Sequence, residues 1–422
     1  YHPSTANKMH PNLTFDLLGA QLEACREIGV NAPVYLSAGY DEKEVLDHPE
    51  WRGKPLIVGG DADSRGVVST CSYEARRFGV HSAMPSAEAR RLCPQAIWTH
   101  GHFDRYHEVS AQVMAILADE TPRVERVSID EAFIDITPGR FAPEDPLLVA
   151  RRISDRVAGL GVTCSIGVGC NKTVAKIASE QDKPFGLTIV RPGTEQRFLA
   201  ALPVSAMSGI GRSAEERLRR MRIYTLGELS RAPESTLASI FGVNGERMRQ
   251  RALGLEISEV TSLDEEREVK SVSNERTFAK DLTERGDIEA AIALLGESVG
   301  RRLRRQGLTG ATVTLKLKYS YGNGRSAQRR LPHPTDDENI FVAVALELLD
   351  NIWQEGMHVR LAGIGMSDFD HQGGIQTDLF CEVDDRGAQS SYRRDLSVAI
   401  DAVRDKFGDT ALSFGRQSRF ND

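Results

Sequence analysis

Asp130 and Glu131 are neighbours in the chain and lie between two β-rich runs, Arg123 to Ile129 and Ala132 to Ile136. A chain that reads strand, acidic pair, strand has to fold back at the pair, which presents both carboxylates at one strand end. Two anions so close repel unless a cation bridges them, and hard carboxylate oxygens select Mg²⁺ or Mn²⁺. A plain polar hairpin turn is the competing reading, because Asp favours turns for its own backbone-bonding reasons.

The segments around this hairpin indicate the fold class. A helical pattern runs from Tyr106 to Leu117 ahead of it. Behind it come a helix, a strand from Val162 to Val168, a second helix and a strand from Leu187 to Val190. Further upstream, Pro55 to Gly60 reads as a strand leading into a Gly/Asp/Ser turn and mixed helix. Such mixing predicts an α+β sheet domain. Residues 203–257 change to helices separated by Ser208-Gly-Ile-Gly211 and Phe241-Gly-Val-Asn-Gly245, and the charged stretch 258–270 reads as a linker. Strands and helices return over 271–370, including Ala311 to Tyr319 with polar residues at alternate positions. Residues 13–29 read as a helix with Leu18, Leu22, Cys25 and Ile28 on one stripe, followed by a short strand from Pro33 to Leu36. A length of 422 residues accommodates two to four domains. The first residue is Tyr1, so the true start is expected upstream.

A net charge of −7 argues against a uniformly basic nucleic-acid binder but conceals a local asymmetry. Between Ser298 and Thr335 no acidic residue occurs, while Arg301, Arg302, Arg304, Arg305, Lys316, Lys318, Arg325, Arg329 and Arg330 supply nine cations. Like charges at that density destabilise a folded surface unless an anion neutralises them, which points to a polyanionic partner over a merely solvated surface. No apolar run approaches the roughly 20 residues of a membrane helix, so no membrane partner is expected. Six cysteines without a C-x-x-C pair read as scattered buried thiols in a reducing cytoplasm.

Two more clusters bear on chemistry. On a helix, Tyr73, Arg76 and Arg77 of Ser72-Tyr-Glu-Ala-Arg-Arg-Phe-Gly-Val80 share a face, and a hydroxyl beside a guanidinium fork suits phosphate oxygens. Lys172 and Lys176, in the run from Ser165 to Ser179, and Lys183, in Asp182-Lys-Pro184, could hold a triphosphate as point charges. Each cluster alone also reads as ordinary solvent-facing Arg and Lys.

In combination and order, S-Y-E-A-R-R-F-G-V-x-S-A-M-P, S-I-D-E-A-F-x-D-I-T, N-K-x-x-A-K-I-A-S and D-K-P-x-G-L closely resemble the Y-family DNA polymerases of the DNA polymerase IV (DinB) type. The resemblance runs from about His48 to the C-terminus, about nine-tenths of the chain. It implies an α+β right hand: fingers with part of the palm over 53–102, palm over 103–200, and a helical thumb with a helix–hairpin–helix over 201–257. A little finger over 271–370, beyond the linker, and a clamp-binding segment with a C-terminal helix over 371–422 complete it. The implied activity is translesion synthesis in DNA repair: template-directed, two-metal transfer of a dNTP to a primer 3′-hydroxyl. Two Mg²⁺, or Mn²⁺, would be held by Asp130 and by Glu131, the adjacent catalytic carboxylate. Tyr73, Arg76 and Lys183 would contact the dNTP, and Gly209, Gly211, Arg329 and Arg330 the primer–template DNA. Gln376, Leu379 and Phe380 resemble the Q-x-x-L-F peptide that docks on a sliding clamp. A monomer in the cytoplasm is expected.

The resemblance breaks at the start. The family opens with a strand D-x-D-x-F-F-x-x-V-E-x-x-D-x-P whose first aspartate ligates both metals. Laid without gaps onto His48-Pro49, its two aspartates fall on Tyr35 and Ser37 and its ribonucleotide-excluding phenylalanine on Tyr40, although Glu44 and Asp47 match. Residues 10–42 instead resemble a helix-then-strand fragment of a β/α-barrel glycoside hydrolase, which implies a chimaera joined near His48 to Arg52. Residues 1–52 are thus read as a foreign segment that replaces the first palm strand, and with the first metal-binding aspartate missing the alternative reading is a catalytically impaired, DNA- and clamp-binding polymerase relic. About 45 residues cannot close an eight-stranded barrel of some 250, so sugar hydrolysis is rejected as the function.

Overall fold

Strand-forming runs on both sides of the acidic pair enter one five-stranded sheet. The computed structural model describes residues 33–38, 41–137, 144–263, 265, 268–320, 322–369, 386–408 and 411–412. The chain divides into two compact units, residues 1–266 and 267–422.

The first unit begins with β1 (Pro33–Ala38), α1 (Asp41–Asp47), β2 (Leu56–Gly59), β3 (Val68–Cys71), α2 (Tyr73–Arg76), α3 (Ser86–Leu92) and β4 (Ile97–Thr99). Next come α4 (Phe103–Glu120), β5 (Val124–Arg126), β6 (Glu131–Asp135), α5 (Pro146–Gly159), β7 (Cys164–Val168), α6 (Lys172–Ser179) and β8 (Leu187–Ile189). Helices α7 (Glu195–Ala200), α8 (Arg212–Arg220), α9 (Leu226–Arg231), α10 (Glu234–Phe241) and α11 (Gly245–Leu253) follow.

The large sheet has the order β5-β6-β1-β7-β8, and a separate three-stranded sheet has the order β3-β2-β4. β1 is the central strand, antiparallel to both neighbours: Tyr35 stands opposite Phe133 and Gly167, and Ser37 opposite Glu131 and Ser165. The segment read from sequence as foreign therefore supplies the backbone of the central strand of this sheet.

Apolar periodicity places α4 and α5 on one face of this sheet. Val109, Val113 and Leu117 recur every four residues on α4 and pack with Ile153 and Val157 of α5 against Ala132, Ile134, Ile166 and Val168. Each such fully buried side chain contributes about 1.5–3 kcal/mol of transfer free energy. α6 lies against β7 and β1. A Cβ on Gly167 would meet the Ala175 carbonyl oxygen at 2.0 Å, so only glycine lets the helix approach this closely. The expected linker is partly docked: Val260 is buried against Phe133 and Ala175, and the Thr261 N–H donates to Glu125 Oε2 at 3.1 Å.

The second unit contains β9 (Ser271–Leu282), α12 (Arg285–Gln306), β10 (Gly310–Tyr319), β11 (Gly324–Thr335), α13 (Glu338–Ile352), β12 (Val359–Phe369) and α14 (Arg386–Phe407). Its antiparallel sheet has the order β11-β10-β12-β9. Ile292 and Val299 of α12, with Phe341 and Leu349 of α13, cover the face carrying Val313, Leu315 and Ile364. Among the described residues, no helix is long and apolar enough to cross a membrane.

Candidate active site and nucleic-acid interface

The hairpin at the acidic pair is built by hydrogen bonds local to the turn. The N–H groups of Val127 and Ser128 both donate to the Glu131 carbonyl, at 2.9 and 3.1 Å. The Asp130 N–H donates to Ser128 Oγ at 3.2 Å, and the Ser128 hydroxyl donates to Asp130 Oδ1. Below the turn, Ser110 Oγ donates to the Ile129 carbonyl at 2.5 Å and itself accepts from Arg126. Asp135, the later aspartate of the same run, is buried, and its Oδ1 accepts from the Thr137 backbone at 2.9 Å and from the Thr137 hydroxyl. Its role is to end β6.

Asp130 and Glu131 thus stand at the mouth of β6 as hard-oxygen donors, a set that fits a divalent cation. Among the described residues, no three His, Cys, Asp or Glu side chains converge on a metal position. Residues 33–38 carry no acid that could complete the pair.

The lysines read as triphosphate holders each meet a carboxylate. Lys172 pairs with Glu125 and lies 5.8 Å from the centroid of the Phe133 ring. Lys176 Nζ stands 3.2 and 3.3 Å from the two Glu131 oxygens. Lys183 pairs with Glu180 at 2.7 Å. Tyr73 and Arg76 occupy the one-turn helix α2, capped by Ser72, whose Oγ also accepts from the Leu56 N–H at 3.1 Å. The Arg76 guanidinium lies 5.5 Å from the Tyr73 ring centroid. The structure thus brings Asp130, Glu131 and Lys176 together, and pairs Tyr73 with Arg76 on α2.

The helical region after the large sheet turns at Ser208-Gly-Ile-Gly211. Gly209 takes φ +94°, and Gly211 begins α8 with no side-chain cap and open space where a Cβ would stand. The first N–H groups of any helix lack intrahelical partners, and with no side-chain cap this start is of the kind that suits an anion. Arg251 of α11 anchors the turn: it donates to the Ser208 carbonyl, the Ser208 hydroxyl and Thr173 Oγ1, each at 2.8 Å. Burial lowers the pKa of its guanidinium, and Glu256 opposes that shift. Asn171 joins the same two elements, capping α6 through Val174 N–H at 3.0 Å and donating to the Gly254 carbonyl at 2.8 Å.

In the second unit, five of the nine cations between Ser298 and Thr335 meet acids of the chain itself. Arg301 and Arg305 pair with Asp405, Arg304 with Asp401 and Glu338, Lys316 with Glu275, and Arg329 with Glu347. Asp401 and Asp405 arrive on α14, about a hundred residues downstream, where a local charge count does not reach. Arg329 and Arg330 also separate: Arg329 stands opposite the core residue Val313, Arg330 opposite Thr312. The exposed Ser326, Gln328 and Arg330 share the sheet face away from α12 and α13, a signal that period-two alternation carries once the strand is fixed. That face, and not Arg329, is the candidate interface.

Gln376, Leu379, Phe380 and Tyr40 lie outside the described residues, as does the helix expected over 13–29.

Comparison with known proteins covers both units. The impB/mucB/samB family model matches residues 34–180, and the model of the same family's C-terminal domain matches residues 269–379. The first match begins ahead of His48, at β1. The chain is similar to DNA polymerase IV of Lactococcus lactis subsp. cremoris strain MG1363, 38% identical over 339 residues, which span 79% of this chain and 92% of that protein. It is likewise similar to DNA polymerase IV of Dehalococcoides mccartyi strain BAV1, 36% identical over 391 residues, 92% of this chain and 97% of that one. Among solved structures, a Y-family DNA polymerase chimaera built on Dbh superimposes with a TM-score of 0.70 at 24% identity, covering 80% of this chain and 98% of that one. That likeness carries the fold.

Proposed function

The chain belongs to the impB/mucB/samB family, the Y-family DNA polymerases of the DNA polymerase IV type, and on that footing we propose how its residues divide the work of translesion nucleotidyl transfer. One observation carries the assignment: the adjacent carboxylates Asp130 and Glu131 stand together at the start of β6, beside the central strand, inside the family match.

Asp130 and Glu131 hold the divalent cation, Mg²⁺ by their hard oxygens, which supplies charge neutralisation at the transferring phosphoryl group and eases loss of the 3′-hydroxyl proton. Tyr73 and Arg76 meet the triphosphate of the incoming dNTP, and Lys183 joins them when a phosphate outcompetes Glu180. In phosphoryl transfer, positioning and charge stabilisation do most of the work, so these contacts matter more than an elaborate base. The start of α8 at Gly209 to Gly211 takes a backbone phosphate of the primer–template through its N–H groups. Arg330, with Gln328 and Ser326, grips the duplex by phosphate contacts that are indifferent to sequence. Gln376, Leu379 and Phe380 dock on a sliding clamp, and the protein acts as a monomer in the cytoplasm, in repair of damaged DNA.

β1, which lies inside the family match, fills the central place in the sheet without supplying the family's aspartate. The cation site is therefore one carboxylate short, and extension is slow. In a primer-extension assay with Mg²⁺ or Mn²⁺, Asp130→Asn abolishes the incorporation that the parent chain retains while DNA binding persists. Equal incorporation by parent and variant would remove Asp130 from the site.

A further inference from the structure

We propose that Lys176 is an internal counter-cation of the metal site: its ammonium holds Glu131 when no divalent ion is bound and competes with that ion for the same carboxylate. The proposal rests on the reading that Asp130 and Glu131 hold a cation.

Lys176 has little freedom to leave. Its helix, α6, is capped by Asn171 and buries Thr173, Val174, Ala175, Ile177, Ala178 and Ser179. The close approach of Ala175 and Ser179 to Gly167 fixes the helix on β7. The Lys176 backbone is therefore set in place, and only its side chain can move.

Its companion one turn earlier shows what a purely structural lysine looks like here. Lys172 and Glu125 are 18% and 10% exposed, and Glu125 is further tied to the Thr261 N–H. The Lys176–Glu131 pair differs in each respect. Its side chains are 28% and 27% exposed, and the ammonium spans both carboxylate oxygens at 3.2 and 3.3 Å. No other hydrogen bond to the Glu131 carboxylate is seen among the described residues. The contact is looser, open to solvent, and uses the oxygens that a divalent ion requires.

Charge gives the contact its consequence. Asp130 and Glu131 bring two negative charges, and Lys176 cancels one of them at the carboxylate itself. With no acid in residues 33–38, that loss falls on a site already short of anions. A cation entering has to displace the ammonium from Glu131 or share the carboxylate with it, at a Coulombic cost in either case.

The test is binding of Mn²⁺ alone to the full chain, followed by electron paramagnetic resonance of the free ion. Lys176→Met keeps the length of the side chain and removes the charge, and it tightens Mn²⁺ binding by roughly tenfold. Lys176→Gln, which keeps a polar head against Glu131, shifts affinity in the same direction and serves should the first variant melt early. Lys176→Arg binds no more tightly than the parent. Unchanged or weaker binding in both neutral variants overturns the proposal. Glu131→Gln tells the two failures apart: it weakens Mn²⁺ binding if the carboxylate is a ligand. If Glu131→Gln leaves binding unchanged, the cation reading itself falls, and the proposal with it.

Discussion

Arg329 and Arg330 are consecutive residues of β11 and face opposite sides of the four-stranded sheet, Arg329 paired with Glu347 of α13 on the helix side and Arg330 exposed on the open side. Their consequences for DNA binding are accordingly opposite. Arg330→Glu weakens primer–template binding for all sequences alike and lowers the slope of log affinity on log salt by roughly one contact, about 0.9 on duplex. Arg329→Glu leaves both affinity and slope close to the parent values, and instead loses a little thermal stability by setting two acids against each other. Fluorescence anisotropy across a salt series separates the two, and equal losses in both variants would refute the assignment of faces.

The hairpin, the α+β alternation and the helical region were legible in sequence because they depend on local periodicity. What was not legible depends on partners distant in the chain. Lys176 meets Glu131 across 45 residues and Arg301 meets Asp405 across 104, so a local count of charge in 298–335 overstated what was left for a polyanion. Glu44 shows the converse. It matches the family pattern, and the structure gives a packing reason: its buried carboxylate accepts from the Tyr106 hydroxyl at 2.5 Å and meets His102 Nδ1 at 3.0 Å, tying α1 to α4. A sequence match of that kind can survive where the ligand strand beside it does not.

The register of β1 makes restoration of the missing ligand testable. Tyr35 and Ser37, the positions on which the family's two aspartates fall, lie on the central strand, and Ser37 stands directly opposite Glu131. Tyr35→Asp combined with Ser37→Asp therefore raises primer extension with Mg²⁺ by at least roughly tenfold, about 1.4 kcal/mol of barrier. Extension no faster than in the parent chain would show that another group already serves as the third ligand.

Acid sensitivity should trace in part to Glu120. Hydrogen bonds from Arg152, at 2.5 Å and 3.0 Å, and a further contact from Arg156 at 3.4 Å hold its carboxyl below the ordinary value of 4.5. A folded-state pKa below the unfolded one means that the unfolded chain takes up the proton more readily. The stabilisation is therefore present above about 4.5 and is lost as pH falls through the lower folded value. Glu120→Gln lowers the melting temperature at neutral pH and flattens its decline in acid. Parallel melting curves for parent and variant from roughly pH 3 to 6 would place the acid sensitivity elsewhere.

The proposal that Leu379 and Phe380 dock on a sliding clamp bears on processivity. An enzyme that grips DNA through a few phosphate contacts dissociates readily, whereas a tether to a ring around the duplex gives an effective concentration near millimolar for a short linker. Leu379→Ala with Phe380→Ala abolishes capture by immobilised clamp while the melting temperature stays unchanged. A lowered melting temperature with clamp capture intact would make both residues part of the fold instead.

Arg251 ties the turn at Ser208 to Gly211 to the helix that carries Thr173. Its guanidinium reaches the Ser208 carbonyl, the Ser208 hydroxyl and Thr173 Oγ1 at once, and Thr173 in turn donates to Glu256 at 2.5 Å. Three acceptors in different directions call for a rigid fork of donors, which guanidinium has and ammonium lacks. Arg251→Lys keeps the positive charge but cannot reach all three groups, and burial penalises the shorter-range, strongly hydrated ammonium more. Both Arg251→Lys and Arg251→Met are therefore expected to lower the melting temperature, by several degrees in the Met variant, which leaves acceptors without donors. They also loosen the turn at Gly209 to Gly211 and weaken DNA binding, although Arg251 itself need not touch a phosphate. Full rescue of melting and binding by Lys would show that charge alone, and not the fork, is what the turn requires.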